Sequence, residues 1–307
     1  MKKFLKVLAV STLAATTLVG CGKKDAGTGS TGGDTAAQYA KVGLGVVSTY
    51  NDGQVNSTIA AIGLDKDGKI NYIDIDVAQS TPGGEGELDK TKKERGADYA
   101  MKKASAIGKE WYEQAAAFEE WCKGKTPDEV ANMKTKDYHG GKAPAEADLA
   151  AGCTIVVDDM LAAVAKANTN AAEVSAAKVG IGEIMSNDAE KKQLNTTIAL
   201  VATDADGKIV FNDLDVAQVY EGVTDTKTEL KEKYNMKGAS AIGKEWYEQA
   251  AAFETWANTK TLDEVANVKT KDYHGGKAPA DSDLSSGCTI VIDDILAAYA
   301  EAGSSLK

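Results

Sequence analysis

The stretch that decides the fold is Ala104–Glu119, which reads ASAIGKEWYEQAAAFE and returns letter for letter at Ala239–Glu254. A second stretch, Lys134–Ala145, reads KTKDYHGGKAPA and returns at Lys269–Ala280 with the same offset of 135 residues. One copy is therefore about 125 residues long, a normal size for a domain with its own core. We predict two tandem domains rather than a solenoid, because solenoid repeats are much shorter.

The repeat sets the predicted domain boundaries at residues 41–167 for the first copy and 179–307 for the second. Residues 168–178, mostly Ala, Asn, Thr and Ser, are the predicted linker between them. Residues 22–38 contain no large apolar side chain, so we predict that the segment 21–40 is a flexible linker in front of the first copy.

The N-terminus, residues 1–20, has the features of a secretory signal peptide, with Lys2 and Lys3 ahead of a short apolar run. Its ending, Leu18-Val-Gly-Cys21, resembles the lipobox of bacterial lipoproteins, which implies a diacylglycerol thioether on Cys21 and cleavage before it. An ordinary signal peptide cut near Gly20 is the alternative. No later segment approaches the ~18 consecutive apolar residues that a spanning helix needs. We therefore expect attachment to the outer face of the cell membrane through acyl chains.

Charge and cysteine content exclude several classes of function. The net charge of −11 argues against nucleic acid as a partner. With Cys21 acylated, three cysteines remain, so a closed disulfide set is not expected. Each copy has one histidine, His139 or His274, and neither has a second histidine or a cysteine pair beside it. We therefore predict no metal site.

The local pattern within one copy predicts strands followed by helices. Alternating and β-branched residues indicate strands, and apolar residues spaced three or four apart indicate helices. The predicted strands are 42–50, 55–64 and 70–77, and the predicted helices are 104–122, a short one starting after Thr126, and 155–167. This order predicts an α+β fold in which each copy has an antiparallel sheet packed with helices.

A small-residue motif precedes the last predicted helix of each copy. It reads DLAAGCT at Asp148–Thr154 and DLSSGCT at Asp283–Thr289. Free backbone N–H groups and the helix dipole favour an anion at a helix N-terminus, and a hydroxyl there could bind or carry a phosphate. The same residues also suit an ordinary N-cap and turn, so the pattern alone leaves both interpretations open.

The motif resembles the flavinylation motif of FMN-binding domains, which is Asp, two residues, Ser or Thr, Gly, a small residue, then Ser or Thr. In that family a transferase moves FMN from FAD onto the last hydroxyl as a phosphoester. The resemblance implies one covalent FMN on Thr154 and one on Thr289. The other motif positions implied to lie at the cofactor are Asp148, Gly152, Cys153, Asp283, Ser286, Gly287 and Cys288. Both cysteines stand where Ala is usual, and Ala151 replaces the Ser or Thr in the first copy.

The resemblance extends to Thr81-Pro-Gly-Gly84, which is similar to a Thr-Pro-Gly loop of such domains, and to the helix around Trp111 and Gln114. The second copy has Val219-Tyr-Glu-Gly222 in place of the loop. Lipobox, linker and tandem domains together resemble the PplA-type flavinylated lipoproteins of extracellular electron transfer. This implies a monomeric electron carrier that depends on a flavin transferase for maturation. It would take electrons from a quinol-linked membrane donor and pass them to ferric iron or soluble flavin.

Aromatic residues are the candidates for contact with the flavin ring. Trp111 and Trp246 lie on the apolar stripe of the repeated helix, so core packing is the competing interpretation. Tyr138-His139 and Tyr273-His274 each precede two glycines, and an exposed turn is their competing interpretation.

Two other classes of function stay open on the sequence. One is a thiol hydrolase that pairs Cys153 with His139 and Cys288 with His274, although no orienting third group is apparent. The other is a non-redox solute-binding or adhesive surface lipoprotein, in which Thr154 and Thr289 only cap helices. For the electron carrier we expect no catalytic residues of its own, and ferric reduction would follow from electron transfer by the flavin.

Overall fold

The computed structural model describes residues 38–307. The predicted signal peptide, the lipidation site Cys21 and the predicted linker up to residue 37 lie outside the described residues. The strands are β1 Tyr39–Asn51, β2 Gln54–Leu64, β3 Ile70–Ser80, β4 Thr135–Tyr138, β5 Gly141–Pro144, β6 Ala172–Ala176, β7 Lys178–Asp188, β8 Gln193–Thr203, β9 Ile209–Val219, β10 Thr270–Tyr273 and β11 Gly276–Pro279.

The helices follow the strands in each copy. They are α1 Lys92–Arg95, α2 Trp111–Cys122, α3 Pro127–Ala131, α4 Ala147–Ala150, α5 Asp158–Asn170, α6 Lys227–Leu230, α7 Trp246–Ala257, α8 Leu262–Ala266, α9 Ser282–Ser285 and α10 Asp293–Ser305, with 3-10 helices at Gly96–Tyr99 and Lys231–Tyr234. The predicted α+β class, with antiparallel sheets packed with helices, is confirmed.

The three predicted strands of the first copy form an antiparallel meander, with Val46 opposite Ile59 and Ile59 opposite Asp76. The turn between β2 and β3 closes where Asp65 accepts backbone hydrogen bonds from Asp67 and Lys69. Strand β1 begins at Tyr39, two residues before the predicted start of the domain. Tyr39 is included because its ring is buried edge-on against Tyr72, with centroids 6.3 Å apart.

The predicted linker 168–178 is regular structure. Helix α5 continues to Asn170, and Ala172–Ala176 form β6, which pairs with β1 and completes a sheet of order β3-β2-β1-β6. Its residues alternate between half-buried and exposed along most of the strand, a pattern that the composition alone did not distinguish from a spacer. The second copy has a three-stranded sheet of order β7-β8-β9.

The two copies share a hydrophobic core. Alternate residues of β2 face opposite sides: Ala60 and Ile62 pack with the helices of their own copy, whereas Ile59 and Ala61 join a cluster with residues of β7 and β8 such as Ile198. The described residues, 38–307, belong to one compact unit. The predicted arrangement of two separate domains is therefore not confirmed, because the inner face of each sheet is buried against the other.

The two long helices begin later than predicted. Helix α2 starts at Trp111 rather than Ala104, because Gly108 has φ +64° and Glu110 forms a capping box with Glu113. Helix α5 starts at Asp158 rather than Ile155, with Val157 as its N-cap residue. The predicted short helix after Thr126 is confirmed, with the Thr126 side chain accepting from the Glu129 backbone.

Glycines in the first strand of each sheet let the last helix of each copy lie directly on the backbone. A Cβ on Gly45 would lie 2.1 Å from the carbonyl oxygen of Ala163, and one on Gly182 would lie 2.1 Å from that of Ala298. This contact fixes α5 and α10, and hence the small-residue motif in front of each, against the sheet. Among residues 38–307, no helix is long and apolar enough to cross a membrane.

Candidate functional site

The threonine of each motif is held by a buried glutamine from the repeated helix. Gln114 Oε1 accepts from the Thr154 backbone N–H at 2.8 Å and from the Thr154 hydroxyl at 3.1 Å. Gln249 makes the same two bonds to Thr289, at 2.8 and 3.1 Å. Both glutamines have no exposed surface. The hydroxyl donates its proton to the amide, which leaves the lone pairs of Oγ1 directed away from Gln249.

The other end of each glutamine amide is anchored to the turn before the helix. Gln249 Nε2 donates to Ser240 Oγ at 3.1 Å and to the Lys244 carbonyl oxygen at 3.2 Å. Gln114 repeats this with Ser105 and Lys109. A fully bonded buried amide has one orientation, so each threonine is set in place by residues 40 positions away.

The motif glycine and cysteine form a tight turn after a short helix. Gly152 and Cys153 both donate backbone hydrogen bonds to the Leu149 carbonyl oxygen, at 2.7 and 2.9 Å. A Cβ on Gly152 would lie 2.9 Å from Ala117 Cβ, and one on Gly287 would lie 2.8 Å from Ala252 Cβ. These glycines therefore permit close packing against α2 and α7. Thr154 lies in the turn and does not cap α5, so the interpretation as an ordinary helix cap is wrong.

The acidic ends of the motifs lie on the surface. Asp148 accepts from Trp121 Nε1 at 3.1 Å, and Asp283 donates its backbone N–H to Asp281 at 3.1 Å. Ser286 is an exposed residue at the end of α9. These three positions are exposed, so another protein can reach them.

A cavity of about 670 Å³ opens between the sheet and the helices of the first copy, and its lining begins two residues after Thr154, at Val156. Its walls come from the sheet, α1, α2, the β4–β5 turn and the start of α5, and include Asn56, Gln79, Lys92, Trp111, His139 and Val156. The volume falls within the range of about 300–1,000 Å³ that is usual for organic ligands and cofactors.

The second copy has a cleft at the equivalent place, divided into two adjacent parts of about 360 and 190 Å³. Lys227, Trp246 and Val291 line both parts, so the two parts adjoin. Thr289 and Gln249 line the larger part. The threonine hydroxyl is therefore at the wall of a cleft that an aromatic side chain also lines.

Each cleft contains a lysine lying over a tryptophan. Lys92 Nζ is 5.4 Å from the centroid of the Trp111 ring, and Lys227 Nζ is 5.4 Å from that of Trp246. Burial lowers the pKa of each lysine to about 8, although nearby carboxylates, Asp76 in the first copy, oppose the shift. Both tryptophans are 4% exposed, so each packs in the core and also presents an edge to the cleft.

The predicted aromatic loops are hairpin turns between β4 and β5 and between β10 and β11. His139 has φ +47° and His274 has φ +46°, and each is followed by a glycine with positive φ, which is the conformation of a two-residue type I′ turn. His139 lines the first cavity, and Tyr273 and His274 line the second. Tyr138 packs edge-on against His139, with centroids 4.2 Å apart.

The cysteines beside the threonines are unsuited to nucleophilic catalysis. Cys153 and Cys288 are fully buried and free, as is Cys122. Burial raises the pKa of the Cys153 and Cys288 thiols to about 11. A thiol of this kind is neutral at physiological pH and inaccessible, which counts against the thiol-hydrolase hypothesis.

Comparison with known proteins gives one partial match. The chain is 32% identical over 129 residues to a chlorophenol reductase of Desulfitobacterium hafniense, which covers 33% of this chain and 39% of that protein. The chain thus matches well under half of the relative's length. No protein-family profile matches the chain. No solved structure matches it either.

Sequence reasoning missed several residues that the fold brings to the clefts. Lys92 and Lys227, and the polar strand residues Asn56 and Gln79, were not among the candidates. Gln79 donates to Asn56 at 2.6 Å across the sheet. A signal for the lysines does exist, because the pair Thr-Lys recurs at the start of α1 and α6. The Thr81-Pro-Gly-Gly84 loop lies against the second copy instead, with Gly83 close to Ala189.

Proposed function

We propose that this protein is an electron carrier that holds one FMN covalently on Thr154 and one on Thr289. The observation that carries the proposal is the placement of Thr289. Its hydroxyl is fixed by a buried glutamine at the wall of a cleft that also holds Trp246, Tyr273 and His274. The first copy repeats the glutamine bond to Thr154, and Trp111 and His139 line the cavity of that copy.

The surroundings of the threonines suit a phosphoester. The Thr289 hydroxyl would be the acceptor of FMN from FAD, with AMP as the leaving group and the transferase as the acceptor of the hydroxyl proton. The ammonium of Lys244 lies 3.9 Å from where a Cβ on Gly287 would be. A positive charge there would stabilise the single negative charge of the phosphodiester that would join Thr289 to the flavin.

The clefts supply position and electrostatics, while FMN supplies the redox chemistry when bound. Trp111 and Trp246 line the two clefts and would contact a flat ring bound there. Lys92 and Lys227 place a cation in each cleft, and a cation stabilises negative charge that develops on a ligand there. Asn56 and Gln79 offer amide donors and acceptors on the opposite wall.

The wider role rests on the sequence and on the partial relative. A lipid anchor at Cys21 with a flexible linker would keep two flavins outside the membrane, in reach of a quinol-linked donor and of ferric iron or soluble flavin. A covalent bond prevents loss of the cofactor outside the cell. The relative's name denotes a reductase, which favours a redox role over a non-redox solute-binding or adhesive lipoprotein.

The test is to express the chain together with a flavin transferase and to denature the purified product. We expect flavin absorbance that stays with the denatured polypeptide and an intact mass with two added FMN groups. Peptide mapping should place them on Thr154 and Thr289. Thr289→Ala and Thr154→Ala should each lose one FMN, and Thr255→Ala, an exposed threonine on α7, is the matched control. A colourless, folded product with unmodified threonines would refute the proposal and favour the non-redox binder.

A further inference from the structure

A cavity of about 260 Å³ lies between the two copies and is lined mainly by polar groups. Asp213 and Asp215 of β9, Thr228 and Glu229 of α6, and Lys166 of α5 line it. The cavity is separate from the two clefts described above. The repeat allows each of its residues to be compared with its equivalent in the first copy.

In the first copy the equivalent residues bind a buried ammonium group. Lys93 Nζ forms ion pairs with Asp74 and, at 2.7 Å, with Glu119. All three side chains are largely buried. The Glu119 carboxylate also accepts from the Ile75 backbone N–H at 2.8 Å. One lysine therefore compensates two carboxylates at this point of the sheet.

The second copy keeps both carboxylates and lacks the lysine. Asp213 is the equivalent of Asp74 and Glu254 of Glu119, and Leu214 N–H donates to Glu254 at 2.7 Å, as in the first copy. Thr228 stands where the first copy has Lys93. Within residues 38–307, the Asp213 carboxylate has no hydrogen-bond donor and no ion-pair partner.

The other charged groups around the pair do not replace the missing lysine. Lys166 is already paired with Glu229 at 2.5 Å and donates to the Val46 carbonyl oxygen, and Lys231 is exposed. Lys227 points into the cleft, over Trp246. The remaining facing groups are the carboxylate of Asp215 on β9 and the buried phenol of Tyr299 on α10.

We propose that Asp213 and Glu254 form a proton-binding site, in which one shared proton replaces the ammonium of the first copy. Two neighbouring carboxylates in a partly buried site cannot both ionise without a cost, and a partly buried carboxyl group that lacks a cationic partner favours its protonated form. Asp213 lines the cavity, which makes its carboxyl group accessible to proton exchange with solvent. The site lies between the copies and does not depend on a bound flavin.

The pKa values agree with this assignment. Burial, and then repulsion from Glu254 and Asp215, raises the pKa of Asp213 to about 7, and burial raises that of Glu254 to about 7. Since these pKa values are raised by folding, the contribution of the pair to stability is fully present below about pH 4. It is lost as the pH rises towards 7.

The experiment is a carbon-13 NMR titration of the carboxyl groups in the full chain. Asp213→Asn identifies the Asp213 resonance by its absence. We expect a midpoint near neutral pH in the wild type and a midpoint at or below the ordinary value of about 3.9 in Thr228→Lys, which restores the ammonium. A midpoint of Asp213 at its ordinary value in the wild type would overturn the proposal.

A stability measurement keeps the proposal testable if Thr228→Lys does not fold. Asp213→Asn should increase the free energy of unfolding relative to the wild type, and this gain should be larger at pH 8 than at pH 5. The reason is that the substitution removes a charge that the wild type carries in this site at pH 8. The matched control is Asp74→Asn, which breaks the Lys93 ion pair and should destabilise at both pH values. If Asp213→Asn also lowers the free energy of unfolding at both pH values, the proposal is wrong. A titration midpoint that shifts between Na⁺, K⁺ and NH₄⁺ at constant ionic strength would also overturn it, since a metal or ammonium ion would then fill the site.

Discussion

Replacing Gln249 with leucine tests whether the buried amide is what positions Thr289. The substitution keeps the volume and removes four hydrogen bonds, two to hydroxyl groups and two to backbone groups. The hydroxyls of Ser240 and Thr289 can rotate towards water, but the Thr289 N–H and the Lys244 carbonyl oxygen cannot. An unsatisfied buried group costs about 1–3 kcal/mol, and both residues are half-buried, so we expect a loss of about 2–3 kcal/mol.

The assay has two readouts on the same variant. Urea unfolding should show the loss of stability, and intact mass after expression with the transferase should show one FMN fewer, since Thr289 no longer has one fixed orientation. The first copy, with Gln114 unchanged, is the internal control and should stay fully loaded. If Gln249→Leu unfolds like the wild type and both threonines are still modified at the wild-type rate, the glutamine does not position Thr289.

Three further predictions follow from packing and titration. Gly182→Ala should destabilise by about 3 kcal/mol or more, because its Cβ would lie 2.1 Å from a fixed carbonyl oxygen, whereas Gly238→Ala, in open space, should be nearly neutral in urea unfolding. Iodoacetamide at pH 8 should leave Cys288 unmodified in the folded chain and alkylate it after denaturation; rapid labelling of the native protein would contradict the buried thiol. The pKa of Lys227 falls from 10.5 to about 8 on folding, so the unfolded chain binds more protons in that range and stability should rise with pH across it. In Lys227→Met the part of this increase in stability that comes from Lys227 should be missing, which unfolding measurements at several pH values would show.

Local pattern was sufficient for much of the fold. The three strands of the meander and the short helix after Thr126 were predicted from residues close in sequence, because alternation and capping depend on neighbours within a few positions. The starts of α2 and α5 were placed too early. The apolar spacing continues through residues 104–110. However, Gly108 has a positive φ and Glu110 is the N-cap residue, so α2 begins only after them.

The sequence by itself determined that the chain is a duplication and that each copy carries a threonine after a glycine and a cysteine. Only the tertiary structure decided which group holds that threonine in place. Gln249 and Thr289 are 40 residues apart and meet because α7 packs against the motif turn. The tertiary structure also decided that the two copies share a core. The sequence of β2 shows that both faces of the strand are apolar, but it does not show which residues cover each face. The exchange of Lys93 for Thr228 is visible in the sequence as one difference between repeats. Its consequence, a carboxylate pair without a cation, exists only because the fold brings Asp213 and Glu254 together in a partly buried place.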